Sequence, residues 1–369
     1  MDAEDRVWAV VQRAFEEREP MLPRRHTRAR LAVAIAVAVL AAVLAAGFSP
    51  PGHAVFEQVR RAVGVEHAAS ALFSLPAPGR LLVQSAEAGG TWVVDQDGAR
   101  RPIGHWQYAA WSPHGKFIVA AKQNELVALD PEGNVRWRLA RRAAASPVWE
   151  GTNVDTRIAY FAASGLRVVA GDGTRDRLLD SYAAVEQVAW DPAQLHTLAY
   201  ESGGAVVLEN VDTRHVLWRH PLSFYGKLEW TDDGTRLAVA GPKRVVVLNA
   251  QGQQLSFVSS LTGFIRDASF MPGTHQLAVE ARLGGRSEIK LIDVDHPGQA
   301  RLLFAGPGVF GDIAWSPNGQ WLLVDWPTAD QWVFIHGARV RAVANVDAQF
   351  PRPNGLGPMF QLDSGWCCR

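Results

Sequence analysis

The side chains in this sequence that can do chemistry are eleven histidines, two adjacent cysteines and two aspartate–glycine phrases. The histidines are scattered. His26 lies among arginines, His105 and His114 flank a predicted hairpin, and His196, His215, His220 and His275 fall in separate segments. None stands beside another His or a Cys at ligand spacing, so there is no set from which to build a zinc site. DQDG at 95–98 and TDDG at 231–234 have the opening of a calcium loop but lack the glutamate that completes one, and they read as hairpin turns. Cys367 and Cys368, in the terminal SGWCCR, admit three states: two thiols, a vicinal disulfide, or a redox contact with a partner. Outside the membrane free thiols tend to oxidise, which raises the second state above its usual rarity and leaves all three open. No G-x-S-x-G elbow, H-E-x-x-H pair, P-loop or dinucleotide fingerprint occurs. No catalytic, cofactor-binding or metal-ligating residue is therefore assigned, and the reading is of a protein that is not an enzyme and needs no cofactor.

What would position any site here is a repeat. Seven times an aromatic residue opens the same phrase, at Trp111, Trp149, Trp190, Trp230, Phe270, Trp315 and Phe350. The intervals are 38, 41, 40, 40, 45 and 35 residues. A period near 40 made of short apolar runs and Gly/Pro/Asp turns predicts an all-β β-propeller, one four-stranded blade per period. Within one period, KLEW, LAVAG, RVVVLNA and QLSFV are four strands joined as a meander by turns such as GPK and QGQ. The aromatic closes the first strand, where a flat side chain fills the gap to the next blade and buries on the order of 150–250 Å². Ahead of Trp111, strands two to four of a further unit run from Gly79 to Gly104. Their missing first strand is expected from Asn345–Pro351 at the far end, which would pair the two ends of the chain and give seven blades rather than six. Ser70–Pro76, whose Phe73 also precedes Trp111 by 38 residues, is the alternative first strand.

Upstream, Leu31–Phe48 holds no charge and no strong hydrogen-bonding side chain. As a helix it is about 27 Å long, close to the thickness of a bilayer core. Arg24, Arg25, Arg28 and Arg30 crowd its amino side, whereas the other flank has no basic residue until Arg60, so residues 1–30 are expected in the cytoplasm and the propeller outside. The competing reading is a cleaved signal peptide, with Val43 and Ala45 as a small-residue cleavage site; a thirty-residue leader is long for that role. The expected organisation is a cytoplasmic amphipathic segment at 1–30, a transmembrane helix at 31–48, a juxtamembrane helix and linker at 49–78, the propeller at 79–351 and a C-terminal tail at 352–369. Val7, Val11, Ala14 and Phe15 form one stripe in the first segment, suited to the inner leaflet or to the groove of a cytoplasmic partner. Formal net charge is zero, so no basic field points to nucleic acid. With two cysteines in 369 residues there is no disulfide framework, and a core drawn from 48% hydrophobic residues must carry the fold.

AAWSPHGKFIVAA and IAWSPNGQWLLVDW resemble the WD-like propeller repeat of TolB-type periplasmic proteins, whose usual phrase is an aromatic, Ser-Pro-Asp-Gly and a strand. Here His114 and Asn318 replace that Asp, and the Trp149 and Phe270 units keep the phrase loosely. The resemblance covers roughly Gly79–Pro351 and implies the fold. TolB-type proteins also carry an amino-terminal α/β domain for which these residues leave no room, so their partners do not carry over. ALDPEGNVRW at 128–137 is similar to the repeat of quinone-dependent dehydrogenase propellers, some of which set a vicinal Cys pair against the cofactor; those rings have eight blades and longer chains. A short cytoplasmic helix, one span and an outer domain resemble membrane-bound anti-sigma regulators, without the zinc-binding His/Cys pattern of many of them. The expectation drawn together is a single-pass bacterial membrane protein presenting a propeller outside the cell as a binding, sensing or scaffold module for a protein or ligand. The alternatives are a regulator whose cytoplasmic helix docks a sigma-factor-like partner, and a quinone-dependent enzyme.

Overall fold

The computed structural model describes residues 74–368 apart from 86–89, 153, 259–262, 299, 345, 347–349, 351–359 and 362–364. The expected cytoplasmic segment, the apolar stretch Leu31–Phe48 and most of the linker lie outside the described residues. Among the described residues, no helix is long and apolar enough to cross a membrane.

Seven antiparallel sheets follow one another along the described residues, six of four strands and one of five. We number them as blades 1 to 7. Blade 1 holds Arg80–Ser85, Gly90–Val94 and Arg100–Gly104, and blades 2 to 7 span residues 108–140, 145–180, 183–221, 227–258, 264–307 and 313–344. Blade 5 shows how the local sequence makes the unit. Lys227–Trp230, Arg236–Gly241, Arg244–Asn249 and Gln254–Val258 pair in that order, with Trp230 opposite Leu237 and Leu237 opposite Leu248. Its second and third strands are buried on both faces, because each blade is sandwiched between two others; that is why these runs are continuously apolar rather than alternating.

Trp111, Trp149, Trp190, Trp230, Phe270 and Trp315 each end the first strand of a blade. Two of them are also tied across the gap: the Trp190 indole N–H donates to Val148 O at 3.0 Å, and that of Trp315 to Ser269 O at 3.1 Å, each in the preceding blade. A second belt lies farther out. Trp137 and Trp218, on fourth strands, donate to Gly171 O and Ala250 O of the following blades, at 2.9 Å in both cases. Their rings rest on Gly173 and Gly252, whose φ values of +85° and +76° and close ring contacts leave no room for a Cβ.

The ring closes by joining the chain ends, but the closing segment corrects the expectation. Arg80–Ser85, the second strand of blade 1, pairs with Phe360–Gln361 (Gln84 with Gln361, Ser85 with Phe360) and with Trp366–Cys367 (Arg80 with Cys367, Leu81 with Trp366). Part of the expected C-terminal tail at 352–369 is thus a working part of the propeller, whose boundary at 351 falls too early. Of the expected strand Asn345–Pro351 only Val346 and Phe350 are among the described residues, and Phe350 belongs to none of the described strands. It is a buried plug between blades 7 and 1, 5.3 Å from the Trp92 ring and 5.6 Å from that of Trp332. Of the alternative strand, Leu75 is buried and donates to Gln96 O outside any ladder. Aromatic character at the right period located Phe350 in the core; the strand pairing skipped it because a later segment, with its own buried Trp366, occupies the edge of Arg80–Ser85.

Deleting residues 360–369 should expose that edge and abolish the single cooperative melt of the ring, with aggregation on heating. A truncated chain that melts at the same temperature, followed by circular dichroism, would show that these pairs carry no weight.

Candidate functional site

Antiparallel meanders sort their turns onto two ends of the ring. First–second and third–fourth strand turns gather at one end, which we call the turn end. Second–third turns and the links between blades gather at the other, the link end.

The turn end carries most of the aspartates and most of the histidines, and several of the aspartates hold the turns. Asp97 accepts from Ala99 N at 2.9 Å, and Gly98 N donates to Asp95 O, so DQDG is a hairpin turn; in TDDG, Asp233 accepts from Thr231 Oγ1 and Thr235 N. Two histidines isolated in sequence are placed among carboxylates: His196 Nδ1 lies 3.0 Å from Glu150, and His275 lies 2.5 Å from Asp295 and 3.0 Å from Asp233. Hydrogen bonds to Asp295 and then Asp233 hold the His275 imidazole above its usual range. Arg157, almost fully buried, is clamped between Asp155 and Asp212. Among the described residues no three His, Cys, Asp or Glu side chains gather as a metal-binding group. Cys367 and Cys368 sit side by side at this end, with the Cys367 sulfur 3.9 Å from Ser112 O and Cys368 packed on Gly115.

The link end holds a cavity of about 510 Å³ at the mouth of the central channel. Six blades reach it, through Tyr108, Ser146, Gln187, Tyr225 with Lys227, Arg266 with Asp267, and Asp312. Under its wall lies an ionic network. Lys227 Nζ is 2.7 Å from Asp267 and 3.5 Å from Glu229. Burial works against its ammonium, yet Asp267 and Glu229 outweigh burial and raise its pKa. Asp267 also accepts from Ala268 N and Ile313 N, and Glu229 accepts from Phe270 N and Ser269 Oγ, so the network stitches blades 5, 6 and 7 together. Asp267 faces Glu280 across its strand pair, a like-charge register that is destabilising if both ionise. Glu280 is fully buried and neither carboxylate oxygen has a satisfied partner, because the nearby Ser287 hydroxyl donates to Gly308 O and accepts from Phe310 N. Burial, with Asp267 and Asp312 adding to it, pushes Glu280 up to about 8. At the same place in blade 4, Glu201 is pushed up to about 7 by burial, with Gly226 N as its partner at 3.0 Å.

Sequence reasoning passed over these acids. The signal was there: TLAY-Glu201, QLAV-Glu280 and LLV-Asp325 break buried apolar runs at one position, where blades 2 and 5 have Ala121 and Ala240. It also did not single out the exposed aromatics of the link end, where Tyr182 is 82%, Tyr225 49% and Phe264 48% exposed, beside Leu283 at 48%.

Comparison with known proteins returns the fold. No family model matches the chain, and no curated protein matches it in sequence. Among solved structures it is similar to the β-propeller domain of Cps50 (Swd1) from Myceliophteria thermophila, with 14% identity, a TM-score of 0.53, and 74% of this chain and 90% of that one covered. It is also similar to a chain of a mitotic checkpoint complex, with 15% identity, a TM-score of 0.51, and 64% and 75% covered. The fold is a WD40-like seven-bladed propeller; at these identities the likeness carries no further.

Because the folded pKa of Glu280 lies above its unfolded value of 4.5, its contribution is present in full below that value and is lost as pH rises through about 8. Glu280→Gln should therefore melt close to the wild type at pH 4.5 and above it at pH 8.5, by a difference of up to about 5 kcal/mol. Parallel pH dependence of the two melting temperatures would refute this reading of the buried acid.

Proposed function

We propose that this chain is a non-catalytic binding or scaffold module, tethered to the bacterial cell membrane by Leu31–Phe48 with residues 1–30 in the cytoplasm, and that it docks another protein through the link end of its propeller. The observation that carries the docking surface is the set of exposed Tyr182, Tyr225, Phe264 and Leu283 at one end of the ring, beside a concave channel mouth. Large apolar side chains left in water around a cavity mark contact surfaces. At the turn end, by contrast, the aspartates and buried arginine already satisfy one another. The propeller fold suits scaffolding, and one similar chain was solved within a complex. The tether rests on the uncharged run and its arginine flank, and the TolB-type resemblance of the repeat agrees with an outer location.

Two measurements test the two halves of this reading. A reporter active only outside the membrane should work when fused after Arg369 and fail when fused after Glu19; the opposite pattern removes the outer location. A photoreactive residue placed at Tyr225 or Phe264 should capture a protein in cells, whereas one at Val154 or Leu195, exposed at the turn end, should not. Equal capture from both ends would remove the link end as the docking surface.

A further inference from the structure

We infer that the link end of blades 5 and 6 is a basic, aromatic dock for an acidic protein segment that carries apolar anchors; this rests on the docking reading above and names the chemistry of the partner. The patch is one surface. Arg244 lies over the Phe224 ring at 4.5 Å, Ile265 N donates to Pro242 O at 2.8 Å, and Phe264 is the strand partner of Arg282, whose neighbour is the exposed Leu283. The two second–third turns, Gly241–Arg244 and Arg282–Arg286, with Gly263–Arg266 between them, contribute Lys243, Arg244, Arg266, Arg282 and Arg286 and not one Asp or Glu. Lys243, Arg266 and Arg282 are exposed and make no ion pair among the described residues. At the turn end of the same two blades stand Asp232, Asp233, Asp293 and Asp295. Only Arg236 and Arg301 accompany those four aspartates there, whereas the link end has Asp267 and Glu280 beneath its five cations, so the exposed turns of these blades are basic at the link end and acidic at the turn end.

The occupant follows from that arrangement. Exposed guanidinium groups pair with carboxylates in a bidentate geometry, and aromatic and arginine side chains are the groups that dominate protein contacts. Here Phe264 and Leu283 supply the apolar ground, ringed by cations that would meet acidic residues on either side of an anchor. Tyr225 and Arg266 belong both to the patch and to the wall of the 510 Å³ cavity, so a side chain lying across the patch can continue into the channel mouth. A flat bilayer surface cannot fill that concavity. Nucleic acid would call for a long-range basic field, which a chain of zero formal net charge lacks.

The test is a selection. The full chain, held in nanodiscs of zwitterionic lipid, is offered a library of random peptides of about a dozen residues, the length of a short contact segment. Recovered peptides should be enriched in Asp and Glu around Phe, Leu or Trp, and they should bind more weakly as salt rises. Arg266→Glu with Arg282→Glu should weaken a recovered peptide at least tenfold, about 1.4 kcal/mol. Phe264→Ser should weaken it as well, and Val154→Ser at the turn end should not. All four sites are exposed, so unchanged melting temperatures verify folding. Enrichment without acidity, no enrichment, or unchanged binding by the charge-reversed variant overturns the inference, as does charge-dependent binding to phosphatidylserine vesicles with no peptide recovered. If peptides fail while cross-linking from Tyr225 still captures a protein, the acidic partner is wrong and the docking surface stands; peptide binding without capture in cells leaves the opposite result.

Discussion

Everything in this molecule depends on pairing the two ends of the described chain. Blades pack only against neighbours, so a ring of seven has no seam exposed only if its first blade receives a strand from its last residues. Gln84 with Gln361 and Leu81 with Trp366 supply that strand, and Phe350 fills the space beside it between Trp92 and Trp332. The adjacent cysteines stand within this closure, against Ser112 and Gly115 of the next blade. Once the ring is closed, the six channel-facing first strands are held at fixed spacing, and the cavity at the link end exists as a shape rather than as a set of loops.

The ionic network under that cavity is the second consequence of closure. Lys227, Glu229, Asp267 and Glu280 come from blades 5 and 6, and Asp267 reaches the backbone of blade 7. Burying so many charges is unfavourable unless they are paired, and here the imbalance is relieved by raising the pKa of Glu280 rather than by another cation. An acid kept neutral by its surroundings makes this part of the ring sensitive to alkaline pH.

The two ends of the ring differ in how far their chemistry is satisfied. At the turn end, Asp233 caps its hairpin, Asp212 holds Arg157 and Asp295 holds His275. At the link end of blades 5 and 6, Lys243, Arg266, Arg282 and the Phe264 ring are exposed. That contrast is what the proposed docking surface rests on.

The sequence alone determined the repeat, the blade count and the place of six anchors, because a propeller blade is local: its four strands are consecutive, its turns announce themselves through Pro, Gly and Asp, and one aromatic recurs at the end of each first strand. KLEW through QLSFV can be read as four strands without knowing anything else in the chain. Which segment closes the ring was a different kind of question. Asn345–Pro351 and Phe360–Cys367 both lie near the end, and only the tertiary structure decided that Phe350 packs while Trp366–Cys367 pairs. The same holds for Glu280 against Asp267, and for Phe264 beside Arg282 and Leu283. Each residue is unremarked in its own period, and their meaning comes from neighbours in other strands and blades, brought together by strand register and ring closure rather than by spacing along the chain.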